Sequence, residues 1–167
     1  LREAVLKGAS FAIIATNTKD HVTDTLSALE YDIPVLVEKP LGVDVASTLP
    51  LRRVSGEKRK NIFVGCVLRF SESLNWFRSL LKEIEPVYSV RIECQSYLPS
   101  WRPQRPYQQS YSAQPGEGGV LRDLIHEIDY AGWIFGWPTA VQARVRNLGR
   151  LGVAGEHVPL AVIQVAV

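Results

Sequence analysis

No methionine occurs at any of the 167 positions, the first included. A translated chain starts with one, so a fragment cut at both ends is expected. It opens in what reads as a helix tail (residues 1–7) and stops in a strand-like run (residues 161–167). Cysteine is scarce too. Cys66 and Cys94 stand far apart with no CxxC and no histidine spacing, which argues against a zinc site or a disulfide framework. Both lie in apolar strand-like runs and read as buried thiols of a reduced, cytoplasmic protein. The longest apolar runs, 11–15 and 34–37, are far too short to span a bilayer, and no secretory signal is visible, so no membrane partner is expected. Charge of one sign is lacking as well. With 19 basic and 17 acidic residues, net +2, nothing recommends a nucleic-acid partner.

What is present is ordinary globular material, with 46% hydrophobic and 22% charged residues and a mean hydropathy of 0.00. A chain this long buries roughly two thirds of its unfolded surface and needs no covalent staple. Residues 11–16 (Phe-Ala-Ile-Ile-Ala-Thr) and 34–38 (Pro-Val-Leu-Val-Glu) are short apolar runs that read as doubly buried parallel strands. Residues 21–29 lie between them with Val22, Leu26 and Leu29 on one helical face, completing a βαβ unit. A weaker helix follows over 44–54, which Pro50 is expected to kink or delay. Residues 58–61 read as a solvated connection and 61–67 as a third buried strand. The rhythm then changes. Residues 73–84 form an amphipathic helix, 87–97 alternate as a strand with one wet face, and 98–119 make a long polar loop. Residues 120–135 read as one strong helix ended by Gly136-Trp137-Pro138, with strand-like runs at 140–147 and 160–167. The fold class expected is α/β: the second half of a Rossmann-type parallel sheet over 1–67, then an incomplete α+β substrate and oligomerisation domain with a largely antiparallel sheet over 68–167.

Polar residues gather where such a fold puts ligands, at the carboxyl ends of parallel strands. Glu38-Lys39-Pro40 follows the second strand. A lysine there suits hydroxyls or a developing oxyanion, and the proline biases it to an extended backbone. Thr16 and Asn17 end the first strand with His21 close behind, which suits a phosphate or ribose, or equally a capped helix start with Thr18 or Asp20 as the cap. Asp123, His126 and Tyr130 share one helical stripe apart from the leucines and isoleucines. A carboxylate beside an imidazole orients it and raises its basicity, though a satisfied surface histidine has the same pattern. His126-Glu127 is not a metalloprotease motif, because position 130 is tyrosine, and no metal is expected. The loop carries Trp101-Arg102-Pro103, Arg105, Tyr107 and Tyr111, suited to a flat, anionic or hydroxylated ligand, or to simple loop packing.

The order strand-ATN-x3-H, strand-EKPLG, strand-VGCVLRF, long loop and GG-x3-D-x2-H-x2-D closely resembles the Gfo/Idh/MocA family of NAD(P)-dependent oxidoreductases, over essentially the whole chain. The resemblance implies a hydride transfer between NAD or NADP and a hydroxyl carbon of a sugar or sugar acid. In it Lys39 serves the nicotinamide ribose and the substrate, His126 is the catalytic acid–base and Asp123 its assistant. It further implies that Thr16, Asn17, His21, Glu38, Lys39 and Pro40 border the cofactor, and that Trp101, Arg102, Tyr107, Asp123 and His126 meet the small-molecule substrate. A homo-oligomer built through the substrate-domain sheet is also implied. Two departures stand out. The position four before the histidine is Arg122, with Asp123 only three before it, and no GxGxxG occurs anywhere. The alternative is a non-catalytic sugar- or nucleotide-binding protein on the same fold. In the usual strand order residues 11–16 would then be an unpaired apolar edge, so this piece is expected to bind the dinucleotide poorly and to self-associate.

Overall fold

The computed structural model describes residues 2–84, 86–114, 116–146 and 160–166. They fall into two units, Leu1–Gly65 and Cys66–Val167.

In the first unit the three apolar runs become short parallel strands, β1 (Ala12–Ile14), β2 (Val35–Val37) and β3 (Ile62–Val64), in that order across the sheet. The register aligns Ile14 with Val37 and Val37 with Val64, so all three strands release the chain along one carboxyl edge. Helix α1 (Arg2–Leu6) precedes the sheet; α2 (His21–Leu29) joins β1 to β2; α3 (Val45–Arg52) and α4 (Gly56–Arg59) join β2 to β3. Side chains alternate across a strand. Ile14, Val35 and Val37 therefore share a face, and with Ala28 and Leu29 of α2 and Ile33 they form the core. The opposite face was expected to be buried as well. Instead the in-register row Ile13, Leu36 and Phe63 is 63%, 42% and 55% exposed, because α2, whose Ala28 and Leu29 join the core, packs on the other face.

Local chemistry sets the helix ends. Asp44 caps α3 reciprocally: Ser47 N donates to Asp44 Oδ1 (2.7 Å) and Asp44 N donates to Ser47 Oγ (3.2 Å). That cap starts the helix on time, and Pro50 is carried within it up to Arg52 rather than delaying it. Residues 58–61 do not form a bare connection. Ser55 caps the short helix α4, whose Lys58 reaches back to the last turn of α2, donating to Leu29 O (3.0 Å) and pairing with Asp32 (2.7 Å). A cation there complements the helix's negative end. Asp32 itself adopts φ +55, which aspartate tolerates better than most residues.

The second unit opens with a 3-10 turn at Val67–Phe70, then α5 (Glu72–Ile84). Asn75 ties the two, donating to Arg69 O (2.8 Å) and Ser71 O (2.9 Å). The predicted helix over 120–135 is divided into α6 (Val120–Asp123) and α7 (Ile125–Phe135) at Leu124, whose φ −95 and ψ 24 leave the helical region. Phe77 of α5 meets Phe135 of α7 edge to face, ring centroids 6.2 Å apart, and the Arg78 guanidinium lies 4.8 Å from the Trp133 ring. Gly136, at φ +96, ends α7 as expected. Residues 140–146 (β4, Ala140–Arg146) and 160–166 (β5, Leu160–Ala166) pair antiparallel from Ala140 opposite Ala166 to Arg146 opposite Leu160; Asn147 and Val167 of the expected runs lie outside the described residues.

The strand expected at 87–97 is not formed. The segment has no ladder partner among the described residues, and Val87, Tyr88 and Val90 are 41%, 92% and 41% exposed. Alternation makes a segment competent for pairing but supplies no partner. The long loop is partly ordered by 3-10 turns at Leu98–Ser100, Tyr107–Gln109 and Tyr111–Ala113. None of the described helices is long and apolar enough to cross a membrane.

Candidate active site

In the first unit the candidate residues follow directly from the strand ends. Glu38 N donates to Ile14 O (2.9 Å), extending the β1–β2 ladder by one step, and beyond it Lys39 and Pro40 leave the sheet through a cis peptide bond. Lys39 is half-buried and Glu38 exposed. On the neighbouring strand Thr16 and Asn17 are exposed at the same edge. Thr16 Oγ1 donates to Asp24 Oδ2 (2.8 Å), and Asp20 N donates to Asn17 O (2.8 Å) in the turn that leads into α2. Neither Thr18 nor Asp20 makes the side-chain cap expected of it: Thr18 is buried inside the turn, and Asp20 stands at the cap position with no side-chain cap bond. Gly42 lets the chain after Pro40 close onto α3, since a Cβ there would stand 2.7 Å from Ser47 Oγ.

His21 departs from expectation. Its side chain is 2% exposed, with Nδ1 2.8 Å from Pro40 O and Nε2 3.1 Å from Thr16 O. Both ring nitrogens face backbone carbonyls, which only accept, so neither is left for a cofactor. The edge formed by Thr16, Asn17 and Lys39 retains what a ribose needs, an exposed hydroxyl and amide beside an ammonium donor.

In the second unit the expected stripe is redistributed by the break at Leu124. Asp123, at the end of α6, accepts from Ser112 Oγ (3.1 Å). Ser112 is buried and reaches it because Gly118 permits close contact: a Cβ at Gly118 would stand 2.3 Å from Ser112 Cα. Gly119 follows at φ +109, a left-handed backbone that glycine adopts without strain. The paired glycines before the aspartate thus fold the 110–113 turn onto α6. Tyr111 comes with it. Burial, then the adjacent Asp123 carboxylate, push its phenol above the ordinary tyrosine value, while Arg102 partly opposes this. Trp101, Arg102 and Tyr107 line a small cavity with Tyr111 and Ser112, so the loop residues predicted to meet a substrate are drawn together. Tyr130 is not part of that group; its phenol is raised by burial and by Glu127 and Cys94.

His126, near the start of α7, has Asp129 as an electrostatic neighbour one turn on. Asp129 is gripped by Arg69 through two parallel bonds, Nε to Oδ2 (2.9 Å) and Nη2 to Oδ1 (2.7 Å). Those hydrogen bonds hold its carboxyl below the ordinary aspartate range despite burial, helped by the charge of Arg69, the Cys66 thiol and His126. Cys66 in turn is pushed up by burial and by Asp129. Asp129 could be found by spacing, three residues after His126. Arg69, sixty positions away, carries no local signal, and Ser112 none beyond a polar loop. Among the described residues no three His, Cys, Asp or Glu side chains converge as a metal site would require.

Residues 81–162 match the family described as the GFO/IDH/MocA C-terminal domain. The chain is 26% identical over 125 residues to the inositol 2-dehydrogenase of Rhodococcus jostii, covering 74% of this chain and 31% of that protein. It is 28% identical over 155 residues to the inositol 2-dehydrogenase of Pseudarthrobacter chlorophenolicus, covering 90% of this chain and 43% of that one. The chain therefore spans less than half the length of either relative. Its fold is that of the WlbA dehydrogenase of Bordetella pertussis, solved in complex with NADH and UDP-GlcNAcA, with a TM-score of 0.70 at 16% identity over 98% of this chain and 47% of that one.

Proposed function

The chain belongs to the Gfo/Idh/MocA family, and on that premise we propose that the protein it forms part of is a dehydrogenase that transfers a hydride between NAD or NADP and a hydroxyl-bearing carbon of a sugar or sugar acid. The observation that carries the reading is the place of Glu38-Lys39-Pro40, at the carboxyl edge of a parallel sheet where open α/β folds take their ligands. The inositol 2-dehydrogenases and the NADH and sugar-acid complex of the structural neighbour support the substrate and cofactor classes.

The nicotinamide would supply the two-electron chemistry, and the chain's side chains supply position and charge. Thr16, Asn17, Glu38 and Pro40 border the ribose. Lys39 donates to it and to the reacting oxygen. His126 takes the hydroxyl proton, next to a carboxylate that Arg69 keeps ionised. Asp123, set by Ser112, orients the hydroxyl, while Trp101, Arg102 and Tyr107 receive the rest of the substrate. The first unit, with the boundary expected at 67 falling at Gly65, is the cofactor-binding part, and the second is the substrate and self-association part of a cytoplasmic enzyme.

Lys39→Ala and His126→Ala in the full protein test this. A lost general base costs roughly 10²–10⁴-fold in turnover, read from nicotinamide absorbance with inositol, hexoses and uronic acids. Unchanged turnover overturns the proposal, and retained ligand binding without any turnover points to a binding protein instead.

A further inference from the structure

We propose that His21 is a positioning residue for Lys39: its ring pins the Pro40 and Thr16 carbonyls together and so sets the direction in which Lys39 leaves β2. The inference rests on the role proposed above for Lys39. His21 is the first residue of α2, nineteen positions from Pro40, yet its Nδ1 lies 2.8 Å from that carbonyl while Nε2 lies 3.1 Å from Thr16 O. Thr16 ends the segment leaving β1 and Pro40 the segment leaving β2, so one buried ring spans the two loops that make the ligand-bearing edge. A carbonyl oxygen only accepts and a neutral imidazole carries one N–H, so the ring donates to one of the two carbonyls; the shorter contact makes Nδ1–H to Pro40 O that bond, with Nε2 set against Thr16 O. Anchored on one side by Glu38 N on Ile14 O (2.9 Å) and on the other by His21 on Pro40 O, the intervening Lys39 backbone has little freedom left. A histidine placed only to fill the core would not require both nitrogens to meet these two segments.

The two nitrogens can be imitated separately. An asparagine amide stands near the position of Nδ1 and a glutamine amide near that of Nε2. In the full protein His21→Asn therefore keeps the bond to Pro40, and His21→Gln keeps only the contact with Thr16. Both variants are expected to melt at a lower temperature than the native protein. His21→Asn keeps kcat within about threefold, whereas His21→Gln loses about ten- to a hundredfold, the scale of an ångström-sized misplacement of a reacting group. A kcat that tracks the melting temperature in both variants alike reduces His21 to a structural role and overturns the proposal. If neither variant folds, the native protein decides. A scalar coupling across the hydrogen bond between His21 Nδ1 and the Pro40 carbonyl carbon sustains the proposal, and an unprotonated Nδ1 ends it. Lys39→Ala serves as the control: should turnover survive it while that coupling is present, the dehydrogenase reading fails and the tether stands.

Discussion

At the scale of single residues, the charge of Asp129 ties two elements of the second unit together. Its two bonds to Arg69 join the 3-10 turn after the first unit's last strand to the helix that carries His126. Hydrogen bonds to charged groups contribute about 1.5–3 kcal/mol each in buried sites. Arg69 is 38% exposed at its side chain and Asp129 14%, so solvent screening lowers the expectation for Asp129→Asn to about 1–2 kcal/mol of lost stability. The pH dependence follows from the direction of the shift. The folded carboxyl takes up its proton below the unfolded one, so the pair's contribution is whole above the ordinary aspartate value and is lost as pH falls through the depressed folded value. Urea unfolding of native protein and Asp129→Asn should differ fully at neutral pH and converge in strong acid. A difference that persists undiminished in acid would contradict the ion pair.

Elements show what a sequence can and cannot announce. The β-branched cores of the three parallel strands, and the i, i+3, i+4, i+7 spacing of Phe77, Leu80, Leu81 and Ile84 in α5, are local signals, and those elements form where they are expected. The break at Leu124 has no such signal, since leucine is among the best helix formers. It lies between Asp123, bonded to Ser112, and α7, tied through Asp129 to Arg69; both are tertiary constraints. His21 was legible as a polar residue behind a strand end but not as one turned inward, because burial is decided by the loops it meets. The paired glycines, read in the sequence as part of a motif, have a checkable physical task. Gly118→Ala places a methyl 2.3 Å from Ser112 Cα, so the 110–113 turn must lift from α6 at a cost of roughly 1–3 kcal/mol, the usual scale of overpacking. Once lifted, Tyr111 loses both its burial and Asp123, and its phenol titrates closer to the ordinary 10.0. Carbon NMR of labelled tyrosine follows that change directly, and a Tyr111 titration unmoved by Gly118→Ala would refute the packing role.

For the molecule as a whole, the unspent apolar surface governs behaviour. In the first unit Ile13, Leu36 and Phe63 stand side by side across the sheet at 63%, 42% and 55% exposure, and Phe11, 60% exposed, precedes the same edge. A contiguous apolar row on a flat sheet face is uncommon on monomers and favours association. Its removal from water contributes about 25 cal/mol per Å2, enough for a weak but measurable self-interaction when two such faces meet. The chain is therefore expected to gain apparent mass with concentration in light scattering, and more so with added salt, which screens its small net charge of +2 and leaves the apolar attraction intact. Ile13→Lys with Phe63→Lys puts two ammonium groups on that face. Both positions are exposed, so the change should shift stability by only about 0.5 kcal/mol each. Like charges on apposed faces would then keep these faces apart, and the concentration-dependent gain in mass should shrink. If the doubly substituted chain associates as strongly as the native one, the sticky surface lies elsewhere, and the exposed aromatics of the second unit, Phe70 and Tyr88 at 85% and 92%, become the next to replace.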